Sequence, residues 1–78
     1  MNRQETLDWI DLALGAIDRH DTMAIIRESI DDFDGEFFET LDSEVERYKA
    51  ENDQATANHL TELARTIAAL RQNRAENL

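Results

Sequence analysis

The chain is 78 residues long, 41% hydrophobic and 33% charged, with no cysteine, no proline and a formal net charge of −10 at pH 7. This excludes a disulfide scaffold and a thiolate zinc site, and it sets nucleic-acid backbones and anionic membranes at an electrostatic disadvantage. A chain this short hides only about 60% of the surface its unfolded form exposes, so the fold must rest on apolar packing, with oligomerisation as one remedy.

Four helices are predicted, and no strand. In the first, Leu7, Ile10, Leu14 and Ile17 recur at 3-4-3 spacing, one stripe of a helix running from about residue 3 to 18. Asn2 and Glu5 at its start have the spacing of a capping box. Gly15 lies inside that stripe, which suggests a neighbouring backbone packed closely against it. "DRHDT" breaks the pattern, and Asp21 is the predicted cap of a short second helix carrying Met23, Ile26 and Ile30.

The third helix is predicted to begin after Asp34, with Glu36 and Glu39 in its first turn where the helix dipole favours negative charge. Its stripe is Phe37, Leu41, Val45 and Tyr48. Asn52 or Asp53 caps the fourth, which carries Leu60, Leu63, Ile67 and Leu70 and closes on Arg71 and Arg74. The third helix is acidic and the fourth mildly basic, so a C-terminal antiparallel hairpin across the short "AENDQ" segment is electrostatically compatible. The fold class expected is a small all-α bundle of about four helices, a single domain over residues 1–78.

Between the second and third helices lies "RESIDDFDGEFFETLDSE", rich in carboxylates around a glycine. It fails as an EF-hand loop, because aligning Gly35 to position 6 puts Ile30 at position 1 and Leu41 at position 12, where carboxylates are required. As an acid–base pair it would need a desolvated member, whereas Asp31, Asp32, Asp34 and Glu36 lie between apolar stripes and read as a capping, solubilising turn. His59 and Glu62 share a helix face, but a di-iron bundle uses Glu-x-x-His, repeated on two helices, and there is no second copy; His20 has no partner at ligand spacing. The two serines, Ser29 and Ser43, are not placed beside a histidine and no nucleophile elbow is present. The expectation is a protein without catalytic residues, metal or cofactor.

What remains is surface. The fourth helix sets Ala57, Ala64 and Ala68 beside Leu60, Leu63, Ile67 and Leu70, small side chains that let another helix approach closely. The stripe reads first as the core of the bundle and second as a docking face for a partner or a second copy. No apolar run reaches the roughly 20 residues needed to span a bilayer, and "MNRQETLDWIDL" carries acids where a signal peptide is apolar, so a cytoplasmic protein is expected.

The run from "AIIRESIDDFDGEFFETLDSEV" through "ATANHLTELARTIAAL" to "RAENL" resembles the helical segment that flanks tetratricopeptide repeats in some large bacterial proteins, including cyanobacterial ones with a caspase-like CHAT domain. The matching positions are Ile26, Ile30, Phe33, Phe38 and Leu41, then Ala57, Leu60, Leu63 and Ile67, with "RAENL" like the start of a first repeat. The resemblance implies a scaffold or interaction role and no catalytic residue; the caspase-like cysteine has no counterpart within these 78 residues. The function expected is a non-enzymatic helical interaction module that contacts a protein partner or forms a homodimer, without direct nucleic-acid or membrane binding. The alternative is an acidic regulator that occupies a basic protein surface as a charge mimic or antitoxin.

Overall fold

The computed structural model describes residues 1–76, with side chains through Gln72. Among the described residues the chain is all-α, with four helices and no strand: α1 Arg3–Leu14, α2 Arg19–Ser29, α3 Gly35–Ala50 and α4 Gln54–Glu76, plus a single 3-10 turn at Ile30–Asp32. The Arg74 side chain and the repeat-like "RAENL" lie outside the described side chains. Two compact units are distinguished, Met1–Leu41 and Asp42–Leu78, with the boundary inside α3.

In the first unit α1 starts on the predicted capping box. The Asn2 side chain accepts the Glu5 N–H at 2.8 Å, and the Glu5 carboxylate accepts the Asn2 N–H at 3.0 Å. Its end differs from the expectation: α1 stops at Leu14, not residue 18, because Asp18 takes extended backbone and caps α2 by accepting the Asp21 N–H at 2.8 Å. Asp21, the expected cap, instead accepts the Ile17 N–H at 3.1 Å. A second expectation also fails. A Cβ at Gly15 would meet only the Leu12 and Asp11 carbonyls of its own helix, so no neighbouring helix packs there.

The buried face of α1 is Thr6, Trp9, Ile10 and Ala13, rotated from the predicted stripe; Leu7 and Leu14 are half-buried and Ile17 lies outside the helix. Trp9 decides the rotation, since an indole offers more apolar area than any leucine. It stands perpendicular to Phe33 and Phe37, with ring centroids 5.1 and 5.3 Å away, while those two stack at 4.2 Å. α2 packs on α1 and contributes buried Ile25 and Ile26, with Met23 half-buried; Ile30, expected on this helix, is half-buried in the 3-10 turn that follows it. The Thr6 hydroxyl, fully buried, donates to the Asn2 carbonyl at 2.8 Å.

In the second unit α3 and α4 are joined by three residues. Asn52 takes the left-handed conformation, φ 63°, and lets the Asp53 N–H return to the Tyr48 carbonyl at 2.8 Å and the Asn52 N–H to the Lys49 carbonyl at 3.1 Å. This is a Schellman closure with asparagine in the place glycine usually takes. Asp53 then caps α4, accepting the Thr56 N–H at 3.1 Å and the Thr56 hydroxyl at 2.7 Å. So short a connection is what an antiparallel hairpin requires; the antiparallel pairing itself stays an expectation from length and charge.

Candidate functional site

The fourth-helix residues expected to form a docking face divide by depth. Ala57, Leu60 and Ile67 are fully buried and Leu63 is nearly so, Ala64 and Leu70 are half-buried, and Ala68 is exposed. The leucine stripe is therefore interior within the chain itself, in keeping with an amphipathic helix packing at home. Ala64, Ala68 and Leu70 are the members of the set that reach solvent.

The acidic turn is occupied by structural work. Asp34 caps α3, its carboxylate accepting the Phe37 N–H at 2.9 Å, and the Met1 ammonium sits 3.0 Å from both that carboxylate and the Asp32 carbonyl. The Phe37 N–H first, and the ammonium second, hold the Asp34 carboxyl below its usual 3.8. The hydrogen bond to Asp34 raises the ammonium above its usual 8.0 in turn. Gly35 opens α3 with no positive φ and open space around its α-carbon, so neither strain nor crowding requires glycine there.

Among the described residues no group of three or more metal-ligating side chains converges. His59 is exposed, and Glu62 pairs with Arg65 at 3.4 Å; His20 is exposed on the first turn of α2. Among the described residues the buried carboxylate is Glu44, held by a two-point fork from Arg47 at 2.6 and 3.2 Å. Arg47 also reaches Glu51 at 3.2 Å and lies 4.5 Å over the Tyr48 ring, so its guanidinium is still more firmly charged than usual, chiefly through Glu44.

Two apolar side chains escaped the sequence reading as surface. Leu12 is 57% exposed and Ile17 87% exposed, both at the corner where α1 turns into α2. Leu12 belongs to neither α1 stripe, which was the available signal; Ile17 was hidden by placing it inside the helix. The corner is held firmly. The Gly15 N–H bonds the Leu12 carbonyl at 3.1 Å, the Ala16 N–H the Ala13 carbonyl at 3.2 Å, and the Ile17 N–H the Asp21 carboxylate. Ile17 precedes the α2 cap, where a hydrophobic residue ordinarily staples onto one four positions into the helix. That position is Thr22, whose hydroxyl is turned to the Asp18 carbonyl at 3.0 Å, and Ile17 is left in solvent.

No helix among the described residues is long and apolar enough to cross a membrane. Comparison with known proteins finds no family model, no curated protein and no solved structure that matches the chain.

Proposed function

We propose that the chain is a non-enzymatic helical protein-interaction module, with the α1–α2 corner as its contact surface. The supporting observation is Ile17, 87% exposed on a turn whose backbone is fixed by hydrogen bonds. An apolar side chain presented on a rigid support loses little freedom on binding, and that favours an anchor role. Several of the polar side chains do structural work, which supports the reading: Asn2, Asp18, Asp34 and Asp53 cap helices, and Glu44 is paired with Arg47. A scaffold role beside helical repeats is the setting that the resemblance of residues 24–78 implies. Acting as a charge mimic is the second reading, favoured by the net charge of −10.

A photo-crosslinking residue placed at position 17, with one at exposed Glu39 as control, tests the reading in the native cell. Discrete crosslinked protein partners at position 17 and not at 39 are expected. Equal yields at both positions would refute it. Sedimentation across concentration addresses the homodimer, with Ala64→Glu and Ala68→Glu reporting on the α4 edge. Binding that vanishes steeply with salt but is indifferent to Ile17→Ser would favour the charge mimic.

A further inference from the structure

We infer that the α1–α2 corner takes a basic amphipathic helix of a partner chain, its apolar side chains on Leu12 and Ile17 and its lysines or arginines on Asp8, Asp11 and Asp18. The inference rests on the interaction reading above and names the chemistry of the partner.

Charge is the first argument. Residues 8–21 carry Asp8, Asp11, Asp18 and Asp21 against Arg19 and His20. Asp8 and Asp11 lie four and one positions before Leu12, and Asp18 follows Ile17 directly. Among the described residues none of these four aspartates is in an ion pair, whereas acids elsewhere are paired, as in Met1–Asp34, Arg47 with Glu44 and Glu51, Lys49–Glu46 and Arg65–Glu62. Asp8, Asp11 and Asp18 are exposed. The apolar anchors thus lie beside carboxylates that have no ion-pair partner, although Asp8 accepts from the Gln4 amide and Asp18 caps α2 with one oxygen. A second copy would bring the same charges to the same place, on a chain already at −10, so a basic partner fits and a like copy does not.

Backbone hydrogen bonding is the second argument. The N–H groups of Gly15, Ala16 and Ile17 are spent within the corner, so the turn between the two helices lacks the run of free main-chain donors that strand addition uses. A partner lying against Leu12 and Ile17 must satisfy its own peptide groups while excluding water, and a helix does this internally. Recognition then falls to side chains, apolar at the centre and charged at the rim.

The test is titration of the isotope-labelled 78-residue chain with an 18-residue amphipathic Leu/Lys helix, followed by amide chemical shifts. A Leu/Glu helix of the same pattern and a Leu/Lys peptide of scrambled order serve as controls. The ordered Leu/Lys helix is expected to move amides of residues 8–21. Its binding should weaken about tenfold in the Leu12→Ser/Ile17→Ser double variant, since about 1.4 kcal/mol of lost apolar contact is one decade in affinity. Asp8→Asn/Asp11→Asn, or raised salt, should weaken it about threefold. Equal binding of the Leu/Glu or scrambled peptide would overturn the inference, as would shifts confined to residues outside 8–21 or an unaffected double variant. Unchanged helicity by circular dichroism establishes that both variants fold. If position 17 crosslinks to a partner in the cell while no Leu/Lys helix binds, the partner chemistry fails and the interaction reading stands; absence of that crosslink fails the reading itself.

Discussion

An indole N–H without an acceptor is costly to bury, and Trp9 carries one: the residue is 5% exposed and its Nε1 meets no protein acceptor. Leaving a buried donor unpaired costs about 1–3 kcal/mol, which offsets part of what the ring gains against Phe33 and Phe37. Trp9→Phe removes that donor along with some ring area and is expected to cost less than about 1.5 kcal/mol, whereas Trp9→Ala should cost about 3–5 kcal/mol. Urea midpoints of the two variants compare them directly, and equal losses would contradict the unpaired-donor account. Asp34 gives a second expectation, with a pH signature. Its folded pKa lies below 3.8, so its contribution is present above that value and is lost as pH falls through the folded pKa. The Met1 ammonium lies above 8.0, so its contribution is present below that value and is lost as pH rises through the folded pKa. The pair therefore stabilises between about pH 4 and pH 8. Asp34→Asn keeps a capping side chain but loses the ion pair; its Tm should fall below that of the unmodified chain within that window and converge with it outside. A gap independent of pH would refute the pairing.

At the scale of elements the helix ends decide the boundaries. Asp53 serves two helices, completing the Schellman closure of α3 through its N–H and capping α4 through its carboxylate. Asp53→Ala should cost about 1 kcal/mol, the usual value of a lost cap. Asn52 stands at φ 63°, where L-residues other than asparagine and aspartate are rarely found and glycine is unstrained. Asn52→Gly should be neutral to slightly stabilising and Asn52→Val destabilising, as thermal melts of the three proteins would show. If Asn52→Val melts with the unmodified chain, the turn is not the rigid one described. The ends of α1 and α2 make the converse point: Asp18 and Asp21, three residues apart, both have the side chain of a cap, and it is Asp18 that caps α2, which ends α1 several residues before the predicted boundary and leaves Ile17 outside the helix.

For the whole molecule, a 78-residue chain has roughly 4–12 kcal/mol of stability to lose. Leu63 is 3% exposed, and Leu63→Asp would bury an unpaired carboxylate at a cost of several kcal/mol, enough to unfold much of the population. Leu12→Ser/Ile17→Ser changes side chains that lie in solvent, so it should keep native helicity and a Tm within a few degrees of the unmodified chain. Circular dichroism melts separate the two outcomes. If the double variant unfolds as Leu63→Asp does, Leu12 and Ile17 are structural and the contact surface proposed for the corner falls with them.

The all-α class, the starts of α1 and α3 and the cap of α4 were legible in the sequence because a cap acts within three residues of itself. Asn2 finds Glu5, Asp34 finds Phe37 and Asp53 finds Thr56 whatever the rest of the chain does. The stripe of α4 was legible too, since Leu60, Leu63 and Ile67 admit one apolar face. In α1 two overlapping faces satisfy the same periodicity, and only the meeting of Trp9 with Phe33 and Phe37, distant in the chain, selects one of them. That selection buries Thr6 and Ala13 and sets Leu12 in solvent. Exposure of an apolar side chain is a property of the packed chain: local pattern states that a residue is apolar, and tertiary contacts decide whether anything covers it.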